Sequence, residues 1–462
     1  MTRPFYTVLS VLASLFVMTA NAGASDSRQV ILIIGDGMDE QQVTIARNYL
    51  FGAGGKLLLD TLPMRGAAQV VTIEDEEGGR PIYVGDSANT ATSMATGEIT
   101  SRGRIATAAG TDKPLQTIVE LADAAGLRSG LVATSSVTDA TPSSFIAHIN
   151  FRLCENPDMM EMVEYSGIEL GHCRQFLKAN GGGGSIAEQL AESPVHVILG
   201  GGAKHFEPMA EGTGISVAEL ARRQGFQVVF NAKELAAANP DERLLGLFSP
   251  STMPVRLQGE DGRAAEEPET SLLHNLHPYL GSVTLPEPMR CEPNPAHEGV
   301  PSLKAMTDAA LANLSYNNPK GFFLMIESAS IDKQAHERKP CGSIGEVAQL
   351  EEALASALAF ADSHPNTLVI VTADHAQAAQ IIPDTSLFAA YPIPVYTPGK
   401  LARINTPEGS IMSVNYATTN FFMAEHTGGA VPVYGNEQAM ETVPNFVRQP
   451  ELFTIMRDYL GL

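Results

Sequence analysis

Glu327-Ser-Ala-Ser-Ile-Asp332-Lys-Gln-Ala-His336 follows an unbroken apolar run, Phe322 to Ile326, and sets three metal-ligating side chains within ten residues. The pattern recurs where Thr367–Val371 lead into Thr372-Ala-Asp374-His375, and where Val30–Ile34 lead into Gly35-Asp36-Gly37. Short continuous apolar runs are the mark of parallel strands buried on both faces. In open α/β sheets, ligands bind at the carboxyl ends of such strands. Strands that end in carboxylates and histidine can therefore converge on more than one metal ion. The stretch predicts an α/β fold and a metal-dependent enzyme.

The rest of the chain fits that fold. Further strands are expected at Gln69–Ile73, Ser129–Thr134, Val195–Leu199 and Gln227–Phe230. Between strands lie helical patterns such as Glu346–Asp362, with Val347, Leu350, Leu354 and Leu358 on one face. Ser185-Ile-Ala-Glu188 is a capping box, and Gly181–Gly184 before it reads as a turn. Such alternation calls for a three-layer α/β/α sandwich around a large, mostly parallel sheet. Gly259 to Pro301, rich in Pro, Glu and Gly, is expected to be a surface excursion. Its His274 and His277 are expected to be solvated rather than ligands.

Of 462 residues, 44% are hydrophobic, enough for a sizeable core. Thirty basic against 52 acidic residues give a formal charge of −22, which repels nucleic acid and anionic lipid. Arg3, the apolar run Val8 to Met18 and Ala20-Asn-Ala22 form a signal-peptide pattern, with cleavage placed after Ala22 or Ala24. That run is shorter than the ~20 residues a membrane span needs. Residues 1–22 are thus expected to be removed, leaving 23–462 as one exported catalytic domain. Cys154, Cys173, Cys291 and Cys341 then suit two disulfides, and of three possible pairings the sequential one is expected.

Gly85-Asp86-Ser87-Ala88-Asn89 opens a run of small residues reaching Gly97. A serine in the first turn of a helix sits beside unpaired N–H groups that hold a phosphate, although on this segment alone a plain cap at Asp86 or Ser87 is favoured. No Gly-x-Ser-x-Gly elbow surrounds Ser87, so zinc rather than a histidine triad would activate its oxygen. Asp332 and His336, spaced i and i+4, share a helix face. Mixed Asp/His ligation suits zinc, and Glu327, Asp36 and Thr141 are candidates for a harder magnesium site. Arg152 can clamp two phosphate oxygens. His148, beside Ile146 and Ile149, reads as structural. His426 lies in a glycine-bounded loop and is the last candidate ligand.

These segments together resemble the bacterial alkaline phosphatase family, from Asp36 to the C-terminal stretch ending at Leu462. Asp86-Ser87-Ala88 is similar to its nucleophile motif, and the Glu327–Gln334 and Val371–Ala376 stretches to its metal motifs. The resemblance implies that Asp332, His336 and His426 bind one zinc and that Asp36, Asp374 and His375 bind a second. Asp36, Thr141 and Glu327 would bind one magnesium, Ser87 would be the nucleophile and Arg152 would grip phosphate. Asp139 and Lys333 would lie just outside the metals, as in the Asp/Lys subgroup. It also implies phosphate monoesters as substrates, a phosphoserine intermediate, a homodimer and a periplasmic location. Three departures are visible: Asp39 where a small residue is usual, Gln377 in place of a second histidine, and a longer excursion before Cys291.

Two rival readings remain at this stage. One is a phosphodiesterase of the same superfamily, although such enzymes typically carry threonine as nucleophile and lack the equivalent of Arg152. The other is an exported zinc- or phosphate-binding protein without turnover. A sulfatase is disfavoured because Asn89 and Ala91 stand where its motif has proline and arginine.

Overall fold

The computed structural model describes residues 27–391 and 393–462, so the expected leader at 1–22 lies outside the described residues. Ten strands make the central sheet: β1 (Arg28–Gly35), β2 (Met64–Gln69), β3 (Arg128–Ser136), β4 (Val197–Gly201), β5 (Phe226–Val229), β6 (Arg243–Leu247), β7 (Gly321–Ser328), β8 (Thr367–Ala373), β9 (Val431–Gly435) and β10 (Phe446–Arg448). Their order is β10-β2-β9-β8-β1-β7-β3-β4-β6-β5. Only β9 runs against its neighbours, and every other pairing in this sheet is parallel.

Strand β1 lies at the middle because Val30 to Ile34 offer no polar face, and all five are 0% exposed. In register, Ile31 faces Leu324 of β7 and Val369 of β8, and Gly35 faces Ser328 and Ala373. The three chains that carry the ligand motifs therefore end side by side.

A sheet with two apolar faces needs helices on both. Those that matter here are α1 (Glu40–Phe51), α2 (Ser87–Thr96), α3 (Ala140–Ser143), α4 (Leu303–Ser315), α5 (Ser330–His336), α6 (Pro340–Ser363) and α7 (Gln449–Leu460). Helix α6 packs on α1, α4 and α5 and lies over β1, β7 and β8, while α7 packs on α2 and β1. Helix α6 begins six residues before the Glu346 expected from sequence, at Pro340, whose missing N–H costs nothing in a first turn. The Ser185 capping box forms, and Gly181 closes a turn in left-handed geometry.

One expectation needs correction. The strand expected at Gln69–Ile73 is displaced: β2 ends at Gln69, and Thr72–Ile73 pairs instead with Pro81–Ile82. Tertiary pairing sets this position, since Gly66 lies so close to the next chain that a Cβ there would sit 2.4 Å from Asn445 O. Gly259–Pro301 is a surface excursion, mostly exposed or half-buried, and it is pinned to the body of the protein. Leu257–Gly259 pairs with Cys291–Pro293, and Met289 bridges to Ile404 of a small antiparallel sheet. Ala265 and Met289 enter a satellite core with Ile45, Ala335, Ile344, Val414 and Tyr416. His274 packs edge-on against Tyr396, and neither it nor His277 joins a group able to hold a metal among the described residues.

The disulfides are Cys154–Cys173 and Cys291–Cys341, as the sequential pairing requires. The second closes a 50-residue separation and ties the Gly259–Pro301 segment to α6. Chain entropy for a loop of that length predicts about 4 kcal/mol of stabilisation. Replacing Cys291 and Cys341 by serine should lower the unfolding free energy by about 2–4 kcal/mol in denaturant titrations. An unchanged midpoint would show that packing, not the cross-link, fixes the segment.

Candidate active site

Four ligand candidates inherit their place from a strand end. Asp36 follows β1 directly, Asp374 and His375 follow β8, and Glu327 is the penultimate residue of β7. Helix α5 starts two residues after β7 and puts Asp332 and His336 one turn apart, with His336 Nε2 3.3 Å from Asp332 Oδ2. His426 arrives from a distant loop, its Nε2 2.9 Å from His336 Nε2 and 3.4 Å from Asp332 Oδ1.

The two imidazoles are oriented by main-chain carbonyls. His336 Nδ1 donates to Ala424 O at 2.5 Å, and His426 Nδ1 donates to Gly85 O at 2.9 Å. Each Nε2 is thereby left with its lone pair facing the other, an arrangement that repels unless a proton or cation lies between. Asp332, His336 and His426 form one group whose ligand atoms lie within 4.8 Å of one another, and Asp36, Asp374 and His375 form a second. The His375 and His426 rings stack at 3.7 Å and bring the groups together.

Charge in this pocket is poorly compensated by the protein. Burial, then repulsion from Asp374, Asp332 and Glu327, raises the Asp36 carboxyl far above the carboxylate range. Burial and Asp139 push Glu327 up to about 8. Burial opposes charge on His426, yet Asp332 pushes its pKa up to about 9. Asp36 Oδ1, Asp374 Oδ2 and Thr141 Oγ1 are buried without a hydrogen-bond partner. Buried polar groups are seldom left so. Oxygen and imidazole donors left open in this way fit metal cations.

Ser87 begins α2 beside this centre, with Oγ 3.3 Å from His375 Nε2. The capping question is resolved in its favour. Asp86 is the cap: its Oδ1 accepts the Asn89 N–H at 3.1 Å, and Asn89 Oδ1 accepts the Asp86 N–H at 2.8 Å. The Ser87 hydroxyl is thus free for chemistry at the positive end of a helix.

Arg152 donates to Asp86 Oδ2 at 3.2 Å and to Asp139 Oδ1 at 2.9 Å, and Lys333 Nζ donates to Asp139 Oδ2. Burial disfavours charge on Asp139, but Lys333 and Arg152 hold its carboxyl well below the usual range. Two half-buried cations are thereby fixed near the nucleophile.

These contacts draw together Asp36, Ser87, Asp332, His336, Asp374, His375 and His426, and Arg152, Asp139 and Lys333 form a chain bonded to Asp86. Asp39 does not join the metal-ligating groups; its Oδ1 caps α1 by accepting from Gln41 N and Gln42 N, and burial pushes its carboxyl up to about 6. Asp-Glu-Gln before an apolar-periodic run is itself a cap signature that could have foretold this role. Gln377 donates through Nε2 to Asp332 Oδ1, so the replacement for the second histidine steadies a ligand carboxylate. Sequence reasoning missed Ser135, whose Oγ donates to Glu327 Oε2 at 2.8 Å, and nothing in its local context marks it. His148 is structural as expected, bonded to Ala106 O and Glu120.

A family model described as alkaline phosphatase matches residues 27–442. The chain is 39% identical to streptomycin-6-phosphate phosphatase of Streptomyces griseus, over 96% of this chain and 93% of that protein. It is 39% identical to alkaline phosphatase of Escherichia coli strain K12, over 94% of this chain and 86% of that one. The structure of Thermus thermophilus alkaline phosphatase shares the fold with TM-score 0.65 at 21% identity, covering 98% of this chain and 96% of that one. By that family match and those relatives, the chain belongs to the alkaline phosphatase family and is a phosphatase.

Proposed function

We propose that the protein is an exported phosphomonoesterase that works through a phosphoserine on Ser87, with two zinc ions and one magnesium ion per subunit. The observation that carries this reading is the Ser87 hydroxyl, not used as the cap, 3.3 Å from His375 Nε2 and next in sequence to Asp86, which Arg152 bonds. Asp332, His336 and His426 would hold one zinc, Asp36, Asp374 and His375 the other, and Asp36, Thr141 and Glu327 the magnesium. Bound there, the metals would neutralise the carboxylates, lower the pKa of an oxygen nucleophile and offset charge on the transferring phosphoryl group.

Arg152 presents its guanidinium with the planar geometry that pairs with two oxygens of a phosphate. A monoester offers three non-bridging oxygens and a diester two, which favours the monoester at a site with both Arg152 and Lys333. Ser87 Oγ bonds to phosphorus as the ester P–O bond breaks, and the alcohol departs with a proton. Water then bonds to phosphorus, the P–Oγ bond breaks, and Ser87 regains its proton. Asp139 and Lys333 act by holding Arg152 and the local positive charge in place.

Residues 23–462 would act as a single catalytic domain, in the periplasm and as a homodimer. The two disulfides support an oxidising compartment, and among the described residues no helix is long and apolar enough to cross a membrane. Exposed Leu387, Phe388, Tyr391, Phe421 and Phe422 support association with a second copy. The acidic balance supports small phosphate esters rather than nucleic acid as partners.

Ser87→Ala should lower kcat for p-nitrophenyl phosphate by at least about 10³-fold and abolish the acid-stable phosphoprotein trapped from the parent. Retained turnover with trapped phosphate elsewhere would displace Ser87 as nucleophile. Arg152→Ala should raise KM and the inhibition constant of inorganic phosphate by about 10–100-fold, the worth of a charged hydrogen-bond pair. Chelation should cut monoester turnover by about 10²-fold or more, with recovery on adding zinc and magnesium together. Preference for bis-p-nitrophenyl phosphate in the same assay would move the chain to the phosphodiesterase reading.

A further inference from the structure

Behind the Arg152–Asp139–Lys333 chain lies a second polar cluster that the reaction above does not use. Glu155 follows Cys154, whose disulfide to Cys173 anchors it. Its Oε2 accepts from Thr138 Oγ1 at 2.5 Å and lies 3.1 Å from His205 Nε2. The tautomer of His205 follows from its other neighbour. Asn156 Oδ1 accepts the Asp158 N–H at 3.0 Å, which turns Asn156 Nδ2 toward His205 Nδ1 at 3.0 Å. Nδ1 is then the acceptor, so the ring proton sits on Nε2 and is donated to Glu155. Thr138 adjoins Asp139, and its hydroxyl also bonds Ser136 Oγ at 2.8 Å. Glu155 thus holds the turn that carries Asp139 and lies within electrostatic reach of the cations that face phosphate.

We propose that Glu155 is a positioning residue whose charge, held by Thr138 and His205 behind the Asp139–Lys333 pair, sets how firmly Lys333 and Arg152 hold a phosphate dianion. The inference rests on the reading of Arg152 and Lys333 as the phosphate-holding cations. A protonated Glu155 leaves Asp139 alone to share their charge, whereas an ionised Glu155 adds a second anion that competes with phosphate.

Burial, then Asp139, raises the Glu155 carboxyl, while Thr138, Lys333 and Lys204 pull it back, to about 7. His205, pushed down to about 4 by burial and by Lys204, stays neutral through that range. The charged or titratable groups facing Glu155 are therefore Asp139, Lys333, Lys204 and His205, and of the pair it forms with His205 only Glu155 changes charge near neutrality. The sign follows: phosphate should bind more tightly below that pKa and more weakly above it, beyond whatever the ionisation of phosphate itself contributes.

The test compares metal-replete parent and Glu155→Gln enzymes, which cancels the titration of the ligand. The probe is inhibition of p-nitrophenyl phosphate hydrolysis by inorganic phosphate at about pH 5.5 and about pH 9. The expected parent-to-variant ratio of inhibition constants is near one at the acid end and about threefold to tenfold at the alkaline end, with kcat little changed. A ratio that does not change with pH would overturn the inference, since a purely structural role moves both values alike. Should Glu155→Gln fold poorly, Thr138→Val removes one donor to the carboxylate and should move the step in the phosphate pH profile upward. An unmoved step would count against the proposal. Arg152→Ala, run alongside, should weaken phosphate inhibition at both pH values; if it does not, the reading of the phosphate site fails instead, and the inference with it.

Discussion

Four carboxylates, Asp36, Glu327, Asp332 and Asp374, are buried together at the carboxyl ends of the central strands, and the cost of that charge shapes everything around them. An ionised carboxylate away from water is tolerated only when paired or bound to a cation. Here the protein pairs some of the charge and leaves the rest open. Lys333 and Arg152 are both committed to Asp139, and the three histidines turn their Nε2 atoms inward. Repulsion of this kind is relieved by a bound cation, which the open donors of the site fit.

Holding such a cluster requires a rigid support. Strand β1 supplies it, fully buried and paired in parallel with β7 and β8, so that the three strand ends cannot slide past one another without moving an apolar residue out of register. Helix α6 presses on these same strands, and α7 holds α2, the helix that presents Ser87. Helix α2, with Ala, Ser or Thr at most positions, is buried along its whole length. Stability and chemistry meet at the same residues: the strands that make the deepest core also aim the ligands.

Much of this was legible in the chain because it is local. A continuous apolar run announces a strand buried on both faces, and the residues that follow it must lie at the strand's carboxyl end. Asp36, Glu327, Asp374 and His375 could be placed in that way, and Asp332 and His336 by helical spacing. The strands β6, β9 and β10 were missed, since β6 carries Gly246, β9 contains Pro432 and β10 is only three residues long. The displaced β2 shows the same limit, its place being set by the close passage of Asn445 beside Gly66 rather than by its own pattern.

The sequence by itself placed carboxylates and histidine at strand ends, marked the small-residue helix after Ser87 and narrowed the cysteines to three pairings, because each depends on neighbours a few residues away or on a short set of alternatives. Only the tertiary structure decided that Asp86 rather than Ser87 is the cap, that His426 faces His336 across 90 residues of chain, and that Asp139 joins Arg152 to Lys333. The Glu155–His205 pair belongs to that second class as well, its partners lying 50 positions apart with no motif to announce them. Such contacts are made by loops converging above a completed sheet, where side-chain direction follows from packing. No periodicity in the chain encodes packing of that kind.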